Sequence, residues 1–295
     1  MKVEVECLSC LIHRGCLEIA EATKNPALQF KAASALLEYM AKEFNPEAVA
    51  AVLGTMRDRI VKRVSGNLDV YGEKKRASNE MALELLPTIK GMVEKQNSPR
   101  ERFKKACLAA IVGNVIEFDI PKHVVNFEDM ERLIMDAEKD LAIDDIDGIY
   151  EEVKKSKEIL LLTDNAGEIV FDKILVSELK KLGVRVTVAV KGGPILNDAT
   201  LEDAKLVSMY DVADSIITTG ADAVGLPLPE ERSKEIVEAY EKADFVIAKG
   251  MGYAETLTEM KLMQPHAFLL RTKCNPVAKH FNVQRGKNVA RLVKR

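Results

Sequence analysis

Tryptophan is missing from this 295-residue chain and aromatic residues make up only 5% of it, so the core has to be built from aliphatic side chains. Neither sign of charge dominates: 43 Lys and Arg face 46 Asp and Glu, a net charge of -3. That balance lacks the basic face or stripe a nucleic-acid binder needs, and no nucleic-acid partner is expected. Long hydrophobic runs are also missing. Nothing approaches the roughly 20 apolar residues that cross a bilayer, and the opening MKVEVECLSC lacks the basic-then-apolar plan of a signal peptide. No membrane partner and a cytoplasmic location are the expectations.

Cysteine is sparse and odd in number, at Cys7, Cys10, Cys16, Cys107 and Cys274, which argues against a disulfide framework. Cys7, Cys10 and Cys16 fall within ten residues and could form a soft-metal or redox site. The favoured reading is reduced cysteines packed as small hydrophobes. Structural zinc prefers four ligands, and only His13 or the distant Cys274 would complete the set, so catalysis is not expected there.

What is present is 47% hydrophobic and 30% charged residues, the make-up of a helix-rich soluble protein long enough to bury a full core. From about residue 7 to 155 apolar residues recur every three or four positions, as in Ala32, Ala35, Leu36 and Met40, which predicts an all-helical region of six or seven helices over residues 1–155. Turn residues at Asn25-Pro26, Asn45-Pro46, Ser65-Gly66-Asn67, Asn97-Ser98-Pro99 and Ile120-Pro121 divide it. The pattern then changes. Short apolar runs at 159–162, 184–190, 215–218, 245–248 and 267–270 alternate with helical stretches near 168–182, 200–209, 230–242 and 253–260. Such alternation predicts an α/β domain over 156–295, a Rossmann-like, mostly parallel sheet with helices on both faces.

Ligands of such sheets bind beyond the carboxyl ends of the strands. Those positions here hold Thr163-Asp164-Asn165-Ala166-Gly167-Glu168, then Lys191-Gly192-Gly193-Pro194 with Asn197-Asp198, then Thr219-Gly220-Ala221-Asp222, Lys249-Gly250-Met251-Gly252 and Arg271-Thr272-Lys273. Hard oxygens from Asp164, Asn165 and Asp198 suit magnesium or manganese, while lysines and glycine turns suit a phosphoryl group. Each piece has a plainer reading as a turn, an N-cap or a solvated charge. The coincidence at five successive strand ends favours a phosphoryl-transfer site. No G-x-G-x-x-G follows the first strand, which disfavours a dinucleotide.

With Gly113-Asn114, Lys273-Cys274-Asn275-Pro276-Val277-Ala278 and Cys7-x-x-Cys10, these segments resemble the DUF89 family, the ARMT1-like damage-control phosphatases, in its archaeal and bacterial subgroup. The resemblance spans nearly the whole chain. It implies a helical region on an α/β domain, a divalent metal (magnesium, manganese, cobalt or nickel) and hydrolysis of small phosphorylated metabolites such as sugar phosphates. By the same resemblance Asp164, Asn165 and Asp198 are the metal ligands and catalytic residues. Lys273 and the loop opening Lys249-Gly250 grip the substrate phosphate, and Glu168 and Asn114 lie near metal or substrate. The chain reads Gly252-Tyr253-Ala254-Glu255 where the family loop continues toward Asn-Tyr-Glu, so it lacks one asparagine of the family's substrate contacts.

The nucleophile expected is either water or an aspartate, Asp164 being the first candidate. Two rivals are a metabolite-binding or regulatory protein without turnover and a methyltransferase of carboxyl groups using S-adenosylmethionine. The second would place a glycine-rich loop where Asp164-Asn165-Ala166-Gly167-Glu168 stands.

Overall fold

The computed structural model describes residues 1–113, 132, 134 and 136–294. Five helices precede residue 114: α1 (Val5–Ala22), α2 (Pro26–Glu43), α3 (Ala50–Ser65), α4 (Gly72–Glu94) and α5 (Pro99–Val112). Their ends follow the turn residues of the sequence. Asn25 Oδ1 accepts from Ala27 N at 3.0 Å with Pro26 in the first turn of α2, and Ser98 and Glu101 form a reciprocal capping box at α5. Gly66 closes α3 in the left-handed conformation, φ 76°.

The rest alternates as expected: β1 (Leu141–Asp144), α6 (Ile146–Lys155), β2 (Glu158–Leu162), α7 (Glu168–Lys181), β3 (Arg185–Val190), α8 (Leu201–Leu206), β4 (Ser215–Thr218), α9 (Lys234–Lys242), β5 (Phe245–Lys249), α10 (Gly250–Leu257), β6 (His266–Arg271), α11 (Asn275–His280) and β7 (Asn288–Val293). The seven strands form one sheet in the order β1-β7-β6-β5-β2-β3-β4, parallel at every pair except β6–β7. Two strands lie outside the five apolar runs. β1 falls within the stretch expected to be all-helical, and β7 carries Arg291. Both are half-exposed in part, so neither has the continuous apolar run of a buried parallel strand.

Strand alternation divides the core in two. Ile159, Leu161, Val188, Phe245 and Ile247 face α4, α5 and α7. Leu160, Leu162, Ala189, Val246 and Ala248 face α9, α10 and α11. Helices α1 to α3 close a separate apolar cluster around Leu11, Leu36 and Leu53. Each fully buried aliphatic side chain contributes about 1.5–3 kcal/mol, so these layers rather than local propensity hold the strands in register. Strand order reverses between β2 and β5, with β3 and β4 built out on one side and β6 on the other. A crevice beyond the carboxyl ends of β2 and β5 is therefore the place to look for a site.

Candidate active site at the strand order reversal

Backbone pairing brings the two acidic loops together. After β2, Asp164 O accepts from Ala199 N at 2.8 Å and Ala166 N donates to Asn197 O at 2.8 Å, while Asn165 and Asp198 form an isolated antiparallel bridge. The loop after β3 is folded back to reach this pairing. Asp198 N donates to Ile195 O at 3.0 Å around Leu196, which takes a left-handed φ of 46°. That conformation is costly for a branched residue, and it is held from outside: Leu196 N donates to Asp58 Oδ1 at 3.2 Å, and Lys62 Nζ donates to Pro194 O at 2.6 Å.

Across the crevice, β5 ends in Lys249 and turns through Gly250, φ 76°. A Cβ on residue 250 would lie 1.9 Å from Asp164 Oδ2, so the Asp164 carboxylate packs against bare backbone that only glycine supplies. Asp164, Asn165, Asp198 and Gly250 thus share one rim.

The rim concentrates negative charge. Burial, with Glu168 and Asp198 beside it, pushes the Asp164 carboxyl well above the usual range, against the opposing charges of Lys191 and Lys273. Burial likewise pushes Asp198 up to about 6, with Lys191 opposing. Asp198 Oδ2 is buried and makes no hydrogen bond; the Lys191 ammonium stands 3.4 Å away. Asn165 Nδ2 donates to Asp164 Oδ2 at 2.9 Å and to Glu168 Oε2 at 3.0 Å, which turns the amide oxygen away from both carboxylates. Among the described residues no three His, Cys, Asp or Glu side chains group as ligands of one ion. A cation held by the Asp164 and Asp198 carboxylates would take the Asn165 oxygen only on a half-turn of that amide. Hard cations such as magnesium accept that arrangement because they retain water or substrate oxygens.

The two strand-end lysines point to opposite faces. Lys249 continues the Phe245, Ile247 side of β5 and enters the layer beneath α5 and α7. It is fully buried, and its Nζ donates to Glu168 Oε1 at 2.5 Å, Asp172 Oδ1 at 2.8 Å and Ala110 O at 2.9 Å. Burial opposes its charge, but Asp172 and Glu168 outweigh that and hold the ammonium above its ordinary pKa. All three N–H donors are used, so the direct phosphate grip expected of Lys249 gives way to an internal ion cluster that anchors Glu168. Lys191 goes to the other face, where its Nζ donates to Gly225 O at 2.7 Å, faces Asp198 and lies 3.9 Å from the centre of the Tyr253 ring.

Lys273 follows β6, and its charge acts on Asp164, which places it toward the same rim. Glu168 opens α7 and is buried between Lys249 and Asn165. Asn114 lies outside the described residues. The sequence reading gave Asp172, Asp58 and Asn79 no role, and Lys191 only a place among the strand-end lysines. A signal existed for Asp172, since Glu168 and Asp172 are one helical turn apart. Lys191 lies one position further along its strand than Lys249, which sends it to the opposite face.

The profile of the damage-control phosphatase ARMT1-like domain matches residues 3–289. A damage-control phosphatase of Archaeoglobus fulgidus is 37% identical over 99% of this chain and 100% of its own, and one from Pyrococcus horikoshii is 38% identical over 97% and 96%. An uncharacterized protein of Methanocaldococcus jannaschii is 39% identical over 100% of this chain and 96% of its own. The crystal structure of a DUF89 family protein from Pyrococcus horikoshii superposes with a TM-score of 0.87 at 36% identity, covering 98% of both chains. With the motif loops meeting on one rim of the predicted fold, the chain belongs to the ARMT1-like damage-control phosphatase family.

Proposed function

We propose that this chain is a divalent-metal-dependent phosphomonoester hydrolase acting on small phosphorylated metabolites, sugar phosphates among them, with Asp164, Asn165 and Asp198 as its metal ligands. The observation that carries the reading is the backbone bridge between Asn165 and Asp198, which brings two acidic loops to one rim and leaves the buried Asp198 Oδ2 without a hydrogen bond. Mutually repelling carboxylates, Asp198 buried and Asp164 half-buried, are what a hard cation stabilises. When bound, a divalent cation supplies electrophilic stabilisation of the phosphoryl oxygens.

The chain's own groups do the rest. Lys273 and the backbone N–H groups opening α10 at Gly250 receive phosphoryl oxygens, adding charge and directed donors. Lys249 holds Glu168, and Glu168 accepts from Asn165 Nδ2, which ties the amide beside the carboxylates, where a half-turn would offer its oxygen to a bound cation. Lys191 keeps Asp198 ionised at neutral pH. Water, which gives up a proton as it attacks, or the Asp164 carboxylate forms a new bond to phosphorus as the ester P–O bond breaks, and the leaving oxygen takes a proton from solvent. On the second route water then cleaves the aspartyl-phosphate, releasing phosphate and the free Asp164 carboxylate.

Phosphate release from p-nitrophenyl phosphate and a panel of sugar phosphates, with magnesium, manganese, cobalt or nickel and with chelator, tests the reading. Metal-dependent turnover lost in D164N and D198N is expected. Absence of release with every metal would favour a metabolite-binding protein instead. Stereochemistry at phosphorus separates the nucleophiles: hydrolysis of a chiral phosphomonoester with inversion indicates direct attack by water, whereas net retention requires an aspartyl-phosphate formed and broken in two displacements.

A further inference from the structure

One side chain from the helical region touches the first acidic loop and the helix that follows the second. Asn79 lies on α4 and is fully buried. Its Oδ1 accepts from Gly167 N at 2.7 Å, and its Nδ2 donates to Asp203 Oδ1 at 2.8 Å. Gly167 is the cap of α7, three residues beyond Asp164, and has φ 76°. The other oxygen of Asp203, Oδ2, accepts from Thr200 N and Thr200 Oγ1, each at 2.8 Å, and so fixes the start of α8 two residues beyond Asp198. Lys75, one turn earlier on α4, adds a 3.5 Å ion pair to Asp203 Oδ2.

We propose that Asn79 is a positioning residue that sets the separation of the two ligand loops and thereby the affinity of the site for its cation. The inference rests on the metal reading above. Its physical basis is the pairing itself, because one uncharged amide on α4 satisfies a donor on the first loop and an acceptor on α8, the helix that the second loop leads into. Aspartate in its place would still accept from Gly167 but would press a carboxylate against Asp203. Leucine would leave a buried N–H and a buried carboxylate oxygen unpaired. In both cases the loops must move relative to each other, and with them Asp164 and Asp198.

The test is manganese binding by the full chain, read from the electron paramagnetic resonance of free Mn2+, at a temperature where circular dichroism shows each variant folded. N79D and N79L should weaken Mn2+ binding by about 10- to 100-fold, the range seen when groups supporting metal ligands are removed. The double variant N79D/D203N restores a donor opposite the new acceptor and should recover most of the affinity, a rescue that a purely structural role would not predict in the metal Kd. Folded N79D with the parent's Kd overturns the proposal, as does a double variant no better than N79D. A parent chain that binds no Mn2+ overturns the cation reading together with this one, whereas a parent that binds beside unaffected variants overturns this one alone.

Discussion

Replacing Gly250 by alanine offers a test in which stability and activity should separate. The new Cβ would be built 1.9 Å from Asp164 Oδ2 and 2.2 Å from Asp164 Cγ. Real Cβ contacts stay beyond 3.0 Å, so the carboxylate must retreat by at least about 1 Å. A misplacement of about 1 Å at a reacting centre costs on the order of 10²-fold in rate, or about 2.7 kcal/mol of transition-state stabilisation. The left-handed φ of 76° at Gly250 adds a backbone cost of about 1–2 kcal/mol to folding. Gly66 supplies the control: it has the same φ of 76°, and nothing lies within 4 Å of its would-be Cβ. G66A and G250A should therefore lose similar stability by urea unfolding, and only G250A should lose kcat on p-nitrophenyl phosphate with manganese. If G250A keeps the parental kcat, the placement of Asp164 against residue 250 has no bearing on catalysis and the site is wrongly located.

K249M removes the cation paired with Asp172 and Glu168 in the layer under α5 and α7, and should destabilise the fold by about 3–5 kcal/mol at neutral pH by urea unfolding; a loss below about 1 kcal/mol would mean the cluster is not charged as described. His266 is buried between Tyr240 OH at 2.8 Å and Gln264 O at 2.7 Å, and burial lowers its pKa to about 4 from an ordinary 6.5. The folded state thus takes up this proton less readily than the unfolded one, so its contribution is present above pH 6.5 and is lost as pH falls toward 4, by about 3 kcal/mol in all. The stability of the parent minus that of H266Q should fall by this amount across that window, and parallel pH profiles would exclude it.

β2, β3, β5 and β6 were legible because burial on both faces demands mostly apolar runs, while the half-exposed edge strand β4 showed only as Ile216-Ile217 between helical stretches. β1, Leu141-Ala142-Ile143-Asp144, alternates half-buried and exposed positions over four residues and follows directly on helical periodicity, so nothing local separates it from a helix end. The acidic loops were legible because a crevice at strand ends selects residue types by position. The fate of Lys249 was not, since its direction depends on which helices cover that face. The parity of β5 places it with Phe245 and Ile247, and only the packing of α5 and α7 there supplies Ala110 O, Glu168 and Asp172 as acceptors. Asn79 and Asp58 carry no motif at all. Each is a polar residue on a helix whose partner lies more than 80 residues away.

Those long-range partners bear on how the two halves of the chain relate. α4 and α5 share one apolar layer with β2, β3 and β5, and the same helices furnish polar contacts to the carboxyl edge of the sheet: Ala110 O to Lys249 and Asn79 to Gly167. α3 adds Asp58 to Leu196 and Lys62 to Pro194. A strained Leu196 and a left-handed Gly167 are local costs of bringing Asp164, Asn165 and Asp198 together, and each is met by a side chain from the helical region. The sheet supplies the residues that would bind a cation and phosphate, while the helices hold the loops at the spacing that lets them do so. Substitutions that alter specificity without unfolding the protein should therefore be sought on α3 and α4, where a changed contact moves a ligand loop but leaves the strands beneath it in register.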